Sequence, residues 1–213
     1  MPNTPLANIL VIISGICWTI VYIDIIRKGF KDKTCGMPLF ALGLNIAWEF
    51  LYSIDGFFIN KEFIFVQCVA NFVWALFDVI ILISWFKYGK QYLPEKAKPY
   101  FVPFSIMALV TCVAVQLAFY LHIDSVVIAS QYSAFAQNLL MSVLFLTMLF
   151  TRGNTKGQTM LIAVCKCIGT LTPTILGGFV ESFNIYIILT GGFSFVFDII
   201  YIYFINKFNK EIK

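Results

Sequence analysis

The segment Asn45-Ile46-Ala47-Trp48-Glu49-Phe50 lies inside Met37–Ser53, a run apolar enough to cross a bilayer that still carries a carboxylic acid near its centre. An acid at that depth costs about 2.5–3.5 kcal/mol even on the lenient insertion scale, so such residues face a cavity and mark function. Asp78 and Asp198 repeat the pattern in later apolar runs. The chain therefore reads as a helical scaffold built around buried acids.

Composition sets the class. Of 213 residues, 60% are hydrophobic and only 12% charged. In lipid every backbone polar group needs a partner within the segment, which helices supply, and the alternation of a β-barrel strand is absent. The fold class expected is all-α: a polytopic membrane protein, one integral domain over residues 1–213. Seven apolar segments fall at about 6–26, 37–55, 63–86, 100–121, 125–150, 159–180 and 184–206, each near the roughly 20 residues a spanning helix needs. The first lacks a preceding basic region and a cleavage site, so it is expected to be a span and not a signal peptide.

The connections after segments one, three and five and the tail after seven hold thirteen of the fifteen basic residues, the exceptions being Lys61 and Lys166. The positive-inside rule then puts the amino terminus outside or in a lumen and the carboxyl terminus in the cytosol, in the endoplasmic reticulum or a bacterial inner membrane. A net charge of +4 spread over these connections excludes a nucleic-acid partner. Six cysteines lie mostly in apolar runs, where they act as small hydrophobes, and the single histidine, His122, argues against a metal site. No metal and no cofactor are expected.

An internal repeat is legible. Phe77-Asp78-Val79-Ile80 resembles Phe197-Asp198-Ile199-Ile200, and Lys87 and Lys207 each follow the acid by nine residues. The offset carries helices one to three onto five to seven, a three-plus-one-plus-three plan with helix four as linker.

Helical spacing sorts the polar groups onto stripes. Asn45, Glu49 and Ser53 share a face of helix two, with Trp48 and Tyr52 beside them; Gln67, Asn71, Trp74, Asp78 and Trp85 share one in helix three. Helix five offers Ser130, Ser133 and Gln137 beside Gln131, Asn138 and Ser142; helix seven offers Gly191, Ser194, Asp198 and Tyr201. A shared central chamber accounts for all four. Counting from helix ends puts Glu49 in its outer half and Asp78, Asp198 and Lys166 in its inner half, about 10 Å away. Lys166 can then neutralise either aspartate, and Pro173 frees the carbonyl of Gly169 for a side chain or water. Asp24 reads as one partner in a surface pair with Arg27 and Lys28, while Asp55 and Glu181, at helix ends, are expected to reach water.

The helix-two run NIAWEF and the helix-seven run FVFDIIYIY resemble those of the membrane-integral terpene cyclases of fungal meroterpenoid and indole-diterpene pathways and their bacterial relatives. The resemblance implies seven spans, a prenylated substrate in the bilayer, and two essential acids that fall on Glu49 and Asp198. Asp78 and Lys166 rest on the residues alone. Together with Asn45, Trp48, Tyr52, Asn71, Trp74, Gln137, Asn138, Ser194 and Tyr201 they form the expected pocket. The implied reaction, protonation of an epoxide or alkene followed by carbocation ring closure, needs a neutral carboxylic acid shielded from water and π-faces for the cation. Glu49 is the favoured donor and Asp198 the base or orienting partner, with the opposite assignment open. The aspartate clusters that bind magnesium in diphosphate-ionising enzymes are absent, as is the DxDD motif of soluble cyclases. The alternative from another class is a small-solute carrier of the three-plus-one-plus-three type with proton-coupling acids.

Overall fold

A computed structural model describes residues 4–60 and 65–211. Lys61, Lys213 and the start of the third apolar segment lie outside the described residues. Seven long helices follow one another among those described: α1 (Pro5–Lys31), α2 (Leu39–Phe58), α3 (Phe65–Tyr88), α4 (Phe101–His122), α5 (Val126–Arg152), α6 (Met160–Ile175) and α7 (Ile185–Glu211). A π-helical turn, Leu176–Val180, extends α6, and two short 3-10 turns lie between α3 and α4. Six of the long helices have the length and apolarity to cross a membrane. The exception is α2, whose Asn45, Glu49, Ser53 and Asp55 dilute an otherwise apolar sequence.

The ends follow local chemistry. Thr4, Ser125 and Thr159 each accept a hydrogen bond from a backbone N–H in the first turn of α1, α5 and α6. Gly153, at φ 61°, closes α5 in the left-handed conformation that glycine tolerates best. The helices outrun several apolar segments, so that α1 continues through Arg27, Lys28 and Lys31.

Packing is selective. α1 lies against α6 and α3, α2 against α3, α4 and α5, and α7 against α5 and α6, while α4 bridges α2 and α5. Gly191 allows the closest approach of α7 to α6: a Cβ there would stand 2.2 Å from Thr174 Oγ1. In α6 the Gly169 carbonyl freed by Pro173 accepts from Ser14 Oγ at 2.8 Å and Trp18 Nε1 at 3.2 Å, so the expected acceptor finds side chains of α1.

The basic connections meet at one end of the bundle. Arg152 donates to the Cys35 carbonyl at 2.8 Å and lies over the Tyr92 ring, 4.0 Å from its centroid. The Thr34 and Tyr92 hydroxyls pair, and the Gly157 N–H donates to Asp32 at 2.9 Å. Asp24 does bind Arg27, at 2.6 Å, but it is buried and also accepts from Thr159, and Lys28 pairs instead with Asp32. Asp55 likewise departs from the expectation that it reaches water: it is buried and accepts from Tyr120 and Asn60, whose side chains close over the helix end.

Candidate active site

Glu49 sits ten residues from the basic end of α2, Asp78 ten from that of α3 and Tyr22 nine from that of α1. At about 1.5 Å per residue the three come level, near the middle of the bundle. Tyr22 Oη donates to Glu49 Oε1 at 2.5 Å, and Asn45 Nδ2 donates to Tyr22 Oη at 3.0 Å. The Asp78 carboxyl lies against Glu49 and Asn45. Glu49 Oε2 and both Asp78 oxygens are buried with no donor in hydrogen-bond geometry. Asp78 thus faces Glu49 and not Lys166, and the expected 10 Å gap between these two acids is absent.

Rings fix this cluster. Tyr22 stacks on Trp74 with centroids 6.0 Å apart, and Trp18 and Phe77 each stand 6.3 Å away. Trp74 Nε1 donates to Thr19 Oγ1 at 3.1 Å and Trp48 Nε1 to the Ser130 carbonyl at 2.9 Å, so both indoles are held on the neighbouring helix. Trp–N–H groups paired in this way leave the ring as an apolar face.

Above the cluster, on the side away from the basic connections, opens a cavity of about 570 Å³. That volume is within the range of small-molecule sites. Its wall comes from α1, α2, α3, α5, α6 with its π turn, and Glu181 in the connection that follows, and α7 contributes only Ile187. Of the residues expected there, Asn45, Trp48, Glu49, Asn71, Trp74, Gln137 and Asn138 line it. The polar members are cross-braced: Gln116 donates to Gln137 at 2.7 Å, Asn138 to Thr170 at 2.9 Å, and Gln67 to Asn71 at 2.7 Å.

The other expected residues lie outside the wall. Tyr52 packs behind it against Trp48 and Ser133. Lys166 Nζ binds Asp198 Oδ1 at 2.7 Å and Ser142 Oγ at 2.6 Å, sealed from solvent. Ser194 donates to the Thr190 carbonyl, and Tyr201, fully buried, donates to Gln158 at 2.9 Å. The stripe on α7 faces inward, as its spacing predicts, but into packed side chains and not into the hollow. Ser142, donating to the Asn138 carbonyl at 3.1 Å, connects the ion pair to the cavity wall.

Helices one and six supply wall residues that the stripes missed. Ser14, Trp18 and Tyr22 recur at four-residue spacing, the same signal that identified α2, in a helix without a mid-span acid. Glu181 and Gln131 also line the cavity; Glu181, expected to reach water, keeps one oxygen buried.

A family model described as Pyr4-like transmembrane terpene cyclases matches residues 2–210. Among curated relatives, the Pyr4-family terpene cyclase mfmH of Annulohypoxylon moriforme is 33% identical over 171 residues, 78% of this chain and 68% of that protein. Asnovolin H synthase nvfL of Aspergillus novofumigatus is 31% identical over 170 residues, covering 78% and 67%. Terpene cyclase macJ of Penicillium terrestre is 29% identical over 167 residues, covering 75% of this chain and 61% of its own. No solved structure matches the chain.

Proposed function

The chain belongs to the family of Pyr4-like transmembrane terpene cyclases, and from that premise we propose that it closes rings on a prenylated, farnesyl-length acceptor by protonating a terminal epoxide or alkene. The observation that carries this reading is the position of Glu49. It is a buried acid on the wall of an aromatic-lined cavity, oriented by Tyr22 and, among the described residues, in no ion pair with a lysine or arginine.

Glu49 is the proton donor in this scheme. Two carboxyls side by side in a dry interior cannot both carry charge, so Glu49 and Asp78 share a proton between them. Transfer of that proton to an epoxide oxygen breaks a C–O bond, leaving a hydroxyl and a tertiary cation. Alkene π-electrons attack the cation, each forming one C–C bond and moving the charge along the chain. Loss of one proton from the last cation ends the cascade, so substrate and product are isomers. Trp18, Trp48 and Trp74 present π-faces that attract the moving charge, worth about 0.5–2 kcal/mol each when dry. Excluding water keeps the cation from being quenched.

Asp198 acts in this reading through others. It holds Lys166, which donates to Ser142 beneath Asn138 of the wall, and is therefore a positioning residue. Of the two roles expected of Asp198, base or orienting partner, this reading takes the second.

Two features of architecture are proposed with it. The pairing of α1 with α3 and α2 with α3 has its counterpart in α5 with α7 and α6 with α7, and α1–α6 answers α5–α2. That pattern supports two three-helix units related by a pseudo-two-fold, with α4 as linker and seven spans in all. The basic end supports a cytosolic carboxyl terminus, in the endoplasmic reticulum or a bacterial inner membrane.

The test is incubation of membranes holding the protein with a farnesylated phenol, with and without a terminal epoxide. Cyclised isomers, lost in Glu49→Gln, are the expected result. Uptake of substrate by vesicles without chemical change would favour a carrier instead.

A further inference from the structure

We infer that Glu181 and Gln131 form the head-group end of the substrate site, holding a hydroxyl or N–H donor of the acceptor while its prenyl chain reaches toward Glu49. The inference rests on the cyclase reading above.

Both residues line the same cavity as Glu49, and they come from different elements: Gln131 from the second turn of α5, Glu181 from the residue that follows the π turn. Glu49 lies nine residues inside the end of α2, about 14 Å along the axis. Glu181, by contrast, stands in the connection between α6 and α7, past the last turn of helix. The two carboxyls therefore mark different levels of one hollow, and a linear prenyl chain with a polar head fits between them in one direction only. The head stays at the rim.

Glu181 is also incompletely satisfied. Oε2 accepts from Gln131 Nε2 at a long 3.4 Å, and Oε1 is buried with no partner. A buried acceptor without a donor is destabilising, and a ligand O–H or N–H removes that cost. Gln131, at that distance, can turn its amide toward the same ligand group and offer both a donor and an acceptor.

The frame around it is rigid. Tyr132, next to Gln131, stacks on Tyr186 with centroids 4.4 Å apart; Tyr186 Oη donates to the Tyr132 carbonyl at 3.0 Å. Asn184 accepts from the N–H groups of Tyr186 and Ile187 and so caps α7. The Glu181 N–H is itself bound to the Leu176 carbonyl at 2.9 Å. A site held this way selects by hydrogen bonding: a buried group left unpaired rejects the analogue that lacks the donor.

The experiment compares two probes on the full chain, a farnesylated phenol with a terminal epoxide and its methyl ether. The parent protein should turn over the phenol with a kcat/KM roughly tenfold or more above that of the ether. Glu181→Met should collapse that ratio toward one through a raised KM, with kcat near the parent value. Glu181→Gln, which keeps an acceptor oxygen, should retain part of the preference and serves as the readout should Glu181→Met fail to fold. Glu49→Gln should abolish turnover of both. A ratio unchanged in the Glu181 variants overturns this inference and leaves the role of Glu49 standing. A parent protein that cyclises neither probe overturns the reading beneath both.

Discussion

Lys166 Nζ and Asp198 Oδ1 meet at 2.7 Å with both side chains sealed from solvent, and neither residue touches the cavity that Glu49 lines. Removing one partner of a buried pair strands the other charge, at a cost of about 3–5 kcal/mol, whereas apolar replacement of both is often neutral. Lys166→Met and Asp198→Asn should therefore each lower the thermal unfolding midpoint in detergent, and Lys166→Met with Asp198→Leu should recover most of the loss. Turnover should stay reduced in the recovered double variant, because Ser142 loses the cation that fixes it below Asn138. Full activity in that variant would show that the pair serves the fold alone.

Tyr22 is the second test. Its hydroxyl accepts from Asn45 and donates to Glu49, so Tyr22→Phe takes a donor from the acid and an acceptor from the amide at once. The ring remains packed on Trp74 and the fold should survive. A lost hydrogen bond between neutral groups is worth about 0.5–1.5 kcal/mol, which as a kcat effect is roughly two- to tenfold. The expected kinetic signature is a fall in kcat with KM little changed, measured on the same epoxide probe. A variant with parent kcat would remove Tyr22 from the orientation of Glu49.

These two clusters mark what the sequence could and could not convey. In an apolar helix a polar residue stands out, so Asn45, Glu49, Asn71, Gln137 and Asn138 were legible from spacing, and Pro173 marked the Gly169 carbonyl as free without naming its partner. Tyr22 and Trp18 were not singled out, because 17% of the chain is aromatic and nothing charged sits beside them in α1. Periodicity reports which face points inward, and the α7 stripe does; it carries no information on whether the interior is hollow at that level. Depth counted from the edge of an apolar run also misleads, since at the basic end α2 starts only at Leu39 and α3 runs on to Tyr88, each displaced from the edge of the expected segment. That error separated Glu49 from Asp78, which in the fold lie side by side.

Gly191 tests the contact between α6 and α7. A Cβ at this position would fall 2.2 Å from Thr174 Oγ1 and 2.5 Å from its Cγ2, in a place where Thr174 is already bound to the Thr170 carbonyl. Gly191→Ala should destabilise the protein by about 1–3 kcal/mol through overpacking. Thr174→Ala removes the two nearer clashing atoms and leaves only its Cβ, at 2.9 Å, so the double variant should unfold at a higher temperature than Gly191→Ala alone. Additive losses in the double-variant cycle would deny that the two residues meet.

Asp32 supplies a pH dependence outside the spans. Burial at the end of α1 raises its pKa, but the Gly157 N–H and the Lys28 ammonium, each 2.9 Å away, outweigh that and hold it below its ordinary 3.8. A carboxyl with a lowered folded pKa binds fewer protons folded than unfolded between the two values, so stability there rises with pH. The contribution is complete above the ordinary value and fades as pH falls through the folded one. Thermal unfolding followed from neutral pH to below the ordinary value should show a midpoint that drops at the acid end, and Asp32→Asn should flatten this part of the curve. The same variant should loosen the connections where Gly157, at φ 74°, packs against Thr34 and Gly36. An acid limb equally steep in Asp32→Asn would assign the effect to another carboxyl.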